Sequence, residues 1–145
     1  MEQVFLKPLH ISISVGNLEE SIKWYQKHLG FKLIFQMYLS NHHAHLAFLK
    51  HGDFELEMFQ HDESRPVPVE RLDPHEDQII QGTKHIAFLV DDVEELSKRL
   101  EAEGVEIVVR LKVMECKEAN VKEKICFIHD LNNICIEFIQ RKNIC

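Results

Sequence analysis

His10-Ile-Ser-Ile-Ser-Val-Gly-Asn-Leu-Glu-Glu-Ser-Ile-Lys23 aligns without a gap on His85-Ile-Ala-Phe-Leu-Val-Asp-Asp-Val-Glu-Glu-Leu-Ser-Lys98. Further along, Phe54-Glu-Leu-Glu-Met-Phe-Gln60 aligns on Ile134-Cys-Ile-Glu-Phe-Ile-Gln140. The step from His10 to His85 is 75 residues and that from Glu57 to Glu137 is 80, so the halves match in order and nearly in length. A repeat of this kind outranks any local motif as a guide to architecture. It also places one histidine and one glutamate at equivalent positions in each half.

Each half reads as strand, helix, then three strands. In the first, Leu9 to Val15 alternates as a strand, with Ile11, Ile13 and Val15 on one face and His10, Ser12 and Ser14 on the other. Asn17 is a helix N-cap with Glu20 three residues on. Leu18, Ile22, Tyr25 and Leu29 recur at helical spacing, and Gly30 stops the helix. Trp24 and Tyr25 brace that helix on its sheet. Strands follow at Phe31 to Leu39, Ala44 to Leu49 and Phe54 to Phe59, the last two joined by a turn at His51-Gly52-Asp53. In the second half Lys84 to Val90 is a strand, and Asp92 caps a helix to about Ala102 that Gly104 ends. Strands follow at Val105 to Arg110, Lys124 to Ile128 and Ile134 to Ile139, with Val113 to Glu123 expected as a mobile loop. The expected organisation is one domain over 1–145, with module one at about 4–60, a linker at about 61–82 and module two at about 83–140. Three of the four prolines fall in that linker, where a short helical turn is expected near Gln78.

Strand alternation puts each of His10, Glu57, His85 and Glu137 opposite the bulkier aliphatic stripe. Ile11 and Ile13, Leu56 and Met58, Ile86 and Phe88, and Ile136 and Phe138 all point the other way. One sheet face can therefore pack on a helix while the other carries the polar groups, beside small neighbours such as Ser12 and Ala87. Two imidazoles and two carboxylates suit one divalent Ni, Zn, Co, Mn or Fe ion, and six-coordination would leave positions for water or substrate. Glu55 shares the face of Glu57 and is expected mainly in solvent. His42, His43 and His45 read as a solvated turn, and His28, His51, His61, His75 and His129, placed at helix ends or loops, carry no assigned role. Glu94 and Glu95 with Lys98 and Arg99 are surface pairs at i,i+4 spacing.

Composition excludes other classes. The 45% hydrophobic and 28% charged content is that of a soluble globular protein, and the net charge of −7 argues against nucleic-acid or anionic-membrane partners. No apolar run approaches a membrane span, and the first residues lack the features of a signal peptide, so the expected location is the cytoplasm. Cys116, Cys126, Cys135 and Cys145 have neither Cys-x-x-Cys spacing nor disulfide-framework density and are read as reduced, with Cys126 and Cys135 on strands.

Taken together, Leu9-His-Ile-Ser-Ile-Ser-Val, Asn17-Leu-Glu-Glu-Ser-Ile-Lys-Trp-Tyr, Leu29-Gly-Phe, Phe54-Glu-Leu-Glu-Met-Phe, Lys84-His-Ile-Ala-Phe-Leu-Val-Asp-Asp-Val and Asp130-Leu-Asn-Asn-Ile-Cys-Ile-Glu-Phe resemble the vicinal oxygen chelate superfamily, the glyoxalase/bleomycin-resistance/dioxygenase fold. The resemblance implies an α+β fold in which two βαβββ modules form a cup-shaped mixed sheet around one metal. Its ligands would be His10, Glu57, His85 and Glu137, a set similar to that of glyoxalase I (lactoylglutathione lyase). In that enzyme type a glutamate moves a proton between adjacent carbons. The match gives that role to Glu137, with Glu57 as its partner carboxylate. The implied protein is a lyase or isomerase acting on a small molecule bound through vicinal oxygens, assembled as a homodimer, with a thiol such as glutathione as possible co-substrate. The chain departs from the pattern in a longer linker between Glu57 and His85, and no residue is identified as a glutathione binder. Within the superfamily the alternatives are an epimerase, a dioxygenase or a metal-free drug-binding module. Epimerases of this kind use an extra carboxylate from the first module, and no Asp or Glu lies between Ser21 and Gly52.

Overall fold

The computed structural model describes residues 6–117 and 120–141, with Cys116 described by its backbone only. Cys145 lies outside the described residues. The chain divides into two compact units, 1–66 and 67–145, so that the expected linker is split, 61–66 falling in the first unit and 67–82 in the second.

The first unit runs β1 (His10–Ser14), α1 (Leu18–Leu29), β2 (Lys32–Leu39), β3 (Ala44–His51) and β4 (Phe54–His61). Its sheet has the order β1-β4-β3-β2, with β1 parallel to β4 and the other neighbours antiparallel. The second unit repeats this as β5 (Ile86–Leu89), α2 (Val93–Ala102), β6 (Ile107–Cys116), β7 (Val121–His129) and β8 (Cys135–Arg141), in the order β5-β8-β7-β6 with β5 parallel to β8. The fold is thus α+β, with a βαβββ mixed sheet in each unit.

The repeat extends to individual hydrogen bonds. Asn17 Oδ1 accepts from the Glu20 N–H at 3.1 Å, and Asp92 Oδ1 accepts from the Glu95 N–H at 2.9 Å, each satisfying a donor that the first helical turn leaves free. The Leu18 N–H donates to Gln60 Oε1 (2.6 Å) and the Val93 N–H to Gln140 Oε1 (3.3 Å), so the last strand of each unit also holds the start of its helix. At the other end of α1, Gly30 takes the left-handed conformation (φ 69°) and ends the helix.

Each helix packs on one face of its own sheet. Tyr25, Leu49, Leu56 and Met58 are fully buried in the first unit, and Val93, Leu100, Ile128 and Ile136 in the second. Trp24 and Tyr25 are both buried, with Tyr25 edge-on to Phe31 at 5.6 Å, which is the bracing expected of them. Residues opposite Glu57 and Glu137 in parity therefore form the core.

Two expectations need correction. Val113 to Glu123 is no loop: β6 continues to Cys116 and β7 begins at Val121, paired from Val113–Lys124 to Cys116–Val121. β6 is an edge strand, and neither side chain of Val113 (56% exposed) nor Met114 (52%) is covered, so the hydrophobic alternation that marks a half-buried strand is missing while the backbone pairing remains. The second correction concerns histidines expected in loops or helix ends. His51, His61 and His129 close strands β3, β4 and β7. His129 is buried, with Nε2 3.1 Å from the Leu72 carbonyl and Nδ1 3.4 Å from Glu106. Of the helix-surface pairs, Glu94–Lys98 forms at 2.8 Å, whereas Arg99 reaches Glu103 at 3.1 Å. The turn expected near Gln78 is a 3-10 helix, Glu76–Ile79.

Candidate functional site

In the first unit, parallel pairing sets Ser12 of β1 beside Glu57 of β4, with His10 two register steps away opposite Glu55. His10 Nε2 lies 3.6 Å from Glu57 Oε2, and the Ser12 hydroxyl donates to the same oxygen at 2.6 Å. Phe48 of β3, paired with Glu57, meets the His10 ring edge-on (5.5 Å, 88°) and stacks on Phe35 of β2 at 5.1 Å. Glu55, on the same face, reaches Lys50 at 3.9 Å.

The second unit repeats the arrangement. His85 stands one residue ahead of β5, and its Nε2 lies 3.0 Å from Glu137 Oε2 of β8. Phe127 of β7, paired with Glu137, meets the His85 ring edge-on (5.3 Å, 88°). Ala87 takes the place of Ser12, facing Glu137 in the register. Beside this carboxylate Val109, Ile125, Phe127 and Cys135 form an apolar cluster. Burial accordingly pushes the Glu137 carboxyl above the ordinary carboxylate range, with His85 opposing the shift and Glu123 adding to it. The Cys135 thiol is pushed up to about 12, chiefly by burial, and with Cys126 it is a free, buried cysteine. Both behave as small apolar groups rather than nucleophiles.

The structure thus brings His10 to Glu57 and His85 to Glu137. All four side chains remain reachable, the imidazoles being 33% and 34% exposed and the carboxylates 17% and 13%. Among the described residues no three His, Cys, Asp or Glu side chains are gathered into a group that could hold a metal ion. The histidines expected as a solvated turn carry no ligand geometry either: His42 and His43 sit at a 3-10 turn, and His45 contacts Tyr38 at 4.8 Å. A groove of about 440 Å³ beside the start of α1, lined by Leu18, Gln36, Tyr38, His45 and Gln60 among others, contains neither His10 nor Glu57.

Two features of the site are absent from the sequence reading. Phe48 and Phe127 are equivalent partners of the two imidazoles, and their 79-residue offset, one less than that of the glutamates, was the available signal. The other is a polar staple ahead of His85. Asp77, only 3% exposed, accepts from Arg71 Nε (2.9 Å) and Nη2 (3.3 Å), and Arg71 Nη2 also donates to the Thr83 carbonyl at 2.6 Å. Lys84 Nζ lies 3.3 Å from Asp77 Oδ1 and donates to the Asp77 carbonyl at 2.6 Å and to the Ile80 carbonyl. Hydrogen bonding to Arg71 holds the Asp77 carboxyl below its usual range, Lys84 adding to the effect. Thr83 and Lys84, the two residues before His85, are thereby tied down.

The family model of the Glyoxalase/Bleomycin resistance protein/Dioxygenase superfamily matches residues 7–138. The chain belongs to that superfamily. Lactoylglutathione lyase of Neisseria meningitidis, in a serogroup A and a serogroup B strain alike, is 31% identical to this superfamily member over 138 residues, 95% of this chain and 93% of the lyase. Among solved structures, the trypanothione-dependent glyoxalase I of Leishmania major is 25% identical with a TM-score of 0.68, over 94% of this chain and 87% of that one. A glyoxalase family protein from Enterococcus faecalis shares the fold with a TM-score of 0.75 at 24% identity, over 94% of this chain and 98% of that one. Among the described residues of this superfamily member, no helix is long and apolar enough to cross a membrane.

Proposed function

We propose that the protein is a divalent-metal-dependent lyase/isomerase of the glyoxalase I-like kind, with His10, Glu57, His85 and Glu137 as ligands of one ion. The observation that carries this reading is the repeated His–Glu pair, at 3.6 Å in one unit and 3.0 Å in the other, in a chain similar to lactoylglutathione lyase over nearly its whole length. The donor chemistry fits such an ion: two imidazoles with two carboxylates offset its charge without filling six positions. When bound, the ion would polarise two neighbouring substrate oxygens as a Lewis acid.

The chain's own residues supply the rest. On a hemithioacetal of a 2-oxoaldehyde, Glu137 takes the proton from the carbon bearing sulfur and returns one to the neighbouring carbon. The proton of the hemithioacetal hydroxyl passes to the former carbonyl oxygen, leaving a hydroxyl there and a thioester at the carbon bearing sulfur, with no atom gained or lost. A carboxyl pushed up by burial is suited to that traffic, because it accepts a proton more readily than an ordinary carboxylate does. Glu57 is its partner carboxylate. Phe48 and Phe127 fix the planes of the two imidazoles. A thiol such as glutathione is the proposed co-substrate, the cytoplasm the proposed location, and a homodimer the proposed assembly. Support for the last comes from edge strand β2, where Leu33, Ile34, Phe35, Met37 and Tyr38 are exposed on a strand open to a partner.

Turnover of the hemithioacetal of methylglyoxal and glutathione tests the reading. Thioester formation, followed in the ultraviolet, is expected to cease after dialysis against a chelator and to return on adding Ni, Co, Zn or Mn ions. Turnover that persists in full in the chelated protein would contradict it.

A further inference from the structure

The two carboxylates occupy equivalent positions but have different neighbours. Glu57 Oε2 accepts from the Ser12 hydroxyl at 2.6 Å, a short O–H···O bond. At the matching step of the β5–β8 register stands Ala87, which has no hydroxyl to offer Glu137. Glu57 is thus tied to the strand that carries His10, while among the described residues Glu137 is met by the ring of His85 at 3.0 Å and by no hydroxyl from β5. We infer that Ser12 is a positioning residue that holds Glu57 stationary as a metal ligand, and that the alanine at position 87 leaves Glu137 free to swing between ligand and base. The inference rests on the metal-dependent reading above and assigns different work to two residues that the repeat makes look alike.

A carboxylate held in one rotamer loses less freedom on binding an ion, and removal of an outer partner of this kind weakens metal affinity about 10- to 100-fold. Conversely, a hydroxyl placed opposite Glu137 adds a bond that must break before the carboxylate can move, which slows turnover about tenfold.

The test measures metal affinity by chelator competition with Zn or Co ions, together with kcat and melting temperature, in the full chain and three variants. Ser12→Ala is expected to weaken binding at least tenfold with the melting temperature of the apoprotein unchanged, and Ser12→Thr, which keeps the hydroxyl, to restore it. Ala87→Ser is expected to lower kcat about tenfold without weakening metal. Unchanged affinity in Ser12→Ala, or a loss that Ser12→Thr does not restore, overturns the role of Ser12; unchanged kcat in Ala87→Ser overturns that of Ala87. If the unaltered protein binds no metal, the metal-dependent reading itself fails, and this inference with it. Tight binding in the unaltered protein with no effect in the variants sinks the inference alone.

Discussion

Glu137→Gln is expected to abolish thioester formation, lowering kcat by about 10³-fold, within the range that a positioned general base contributes. The substitution keeps the shape of the side chain and its ability to bond His85 at 3.0 Å, but glutamine cannot accept a proton from carbon. The fold should not suffer. Burial already works against the charge on Glu137, so replacing a carboxylate with a neutral amide removes a cost rather than a support. Circular dichroism and the melting temperature of the apoprotein should therefore match the unaltered protein. Loss of one charged donor weakens metal binding as well, so the variant is assayed at saturating metal. Retained turnover under those conditions would sink the assignment of the proton shuttle to Glu137.

Asp77→Ala is expected to destabilise the protein by about 2 kcal/mol, measured by urea unfolding near neutral pH. The carboxylate is buried, and its removal leaves Arg71 and Lys84 with their charges facing an apolar methyl. Because both cations are partly exposed and can turn to water, the loss stays below that of a fully enclosed pair. The pH dependence has a definite sign. Asp77 in the folded protein titrates below its ordinary value of 3.8, so the unfolded chain binds its proton first. The stabilisation is complete above about pH 3.8 and is lost as pH falls through the lower folded value. The variant should thus lack one component of acid unfolding that the unaltered protein shows. Equal stability of the two proteins at neutral pH would contradict the staple. The effect also reaches the site, since Lys84 adjoins His85.

Much of this molecule is legible in its sequence because its repeat is. The caps at Asn17 and Asp92, the stop at Gly30 and the burial opposite Glu57 and Glu137 all follow from spacing within one element. What escapes the sequence is contact between elements. The bond from Ser12 to Glu57 depends on the parallel register of β1 on β4, strands 45 residues apart, which no local pattern specifies. The Arg71–Asp77–Lys84 staple lies in a stretch rich in proline and acid that reads as a linker, because the partners of the Asp77 carboxylate are two cations spaced without period, which also donate to backbone carbonyls. The far end of β6, beyond Arg110, hides for the opposite reason: an edge strand whose Val113 and Met114 are both uncovered carries no alternation to read. The one-residue offset between Phe48/Phe127 and Glu57/Glu137 comes from a longer turn in the second unit. There Asp130 Oδ1 accepts from the Asn132 and Ile134 N–H groups, and Asn133 takes a positive φ of 61°.

The proposed function depends on both His–Glu pairs serving one divalent ion. Metal content of the purified, untagged protein by mass spectrometry, beside His85→Ala, tests it most directly. About one divalent ion per chain is expected in the unaltered protein, and its loss in the variant. A protein that carries no ion and takes up none on titration, or a His85→Ala variant that keeps a full complement, would contradict it.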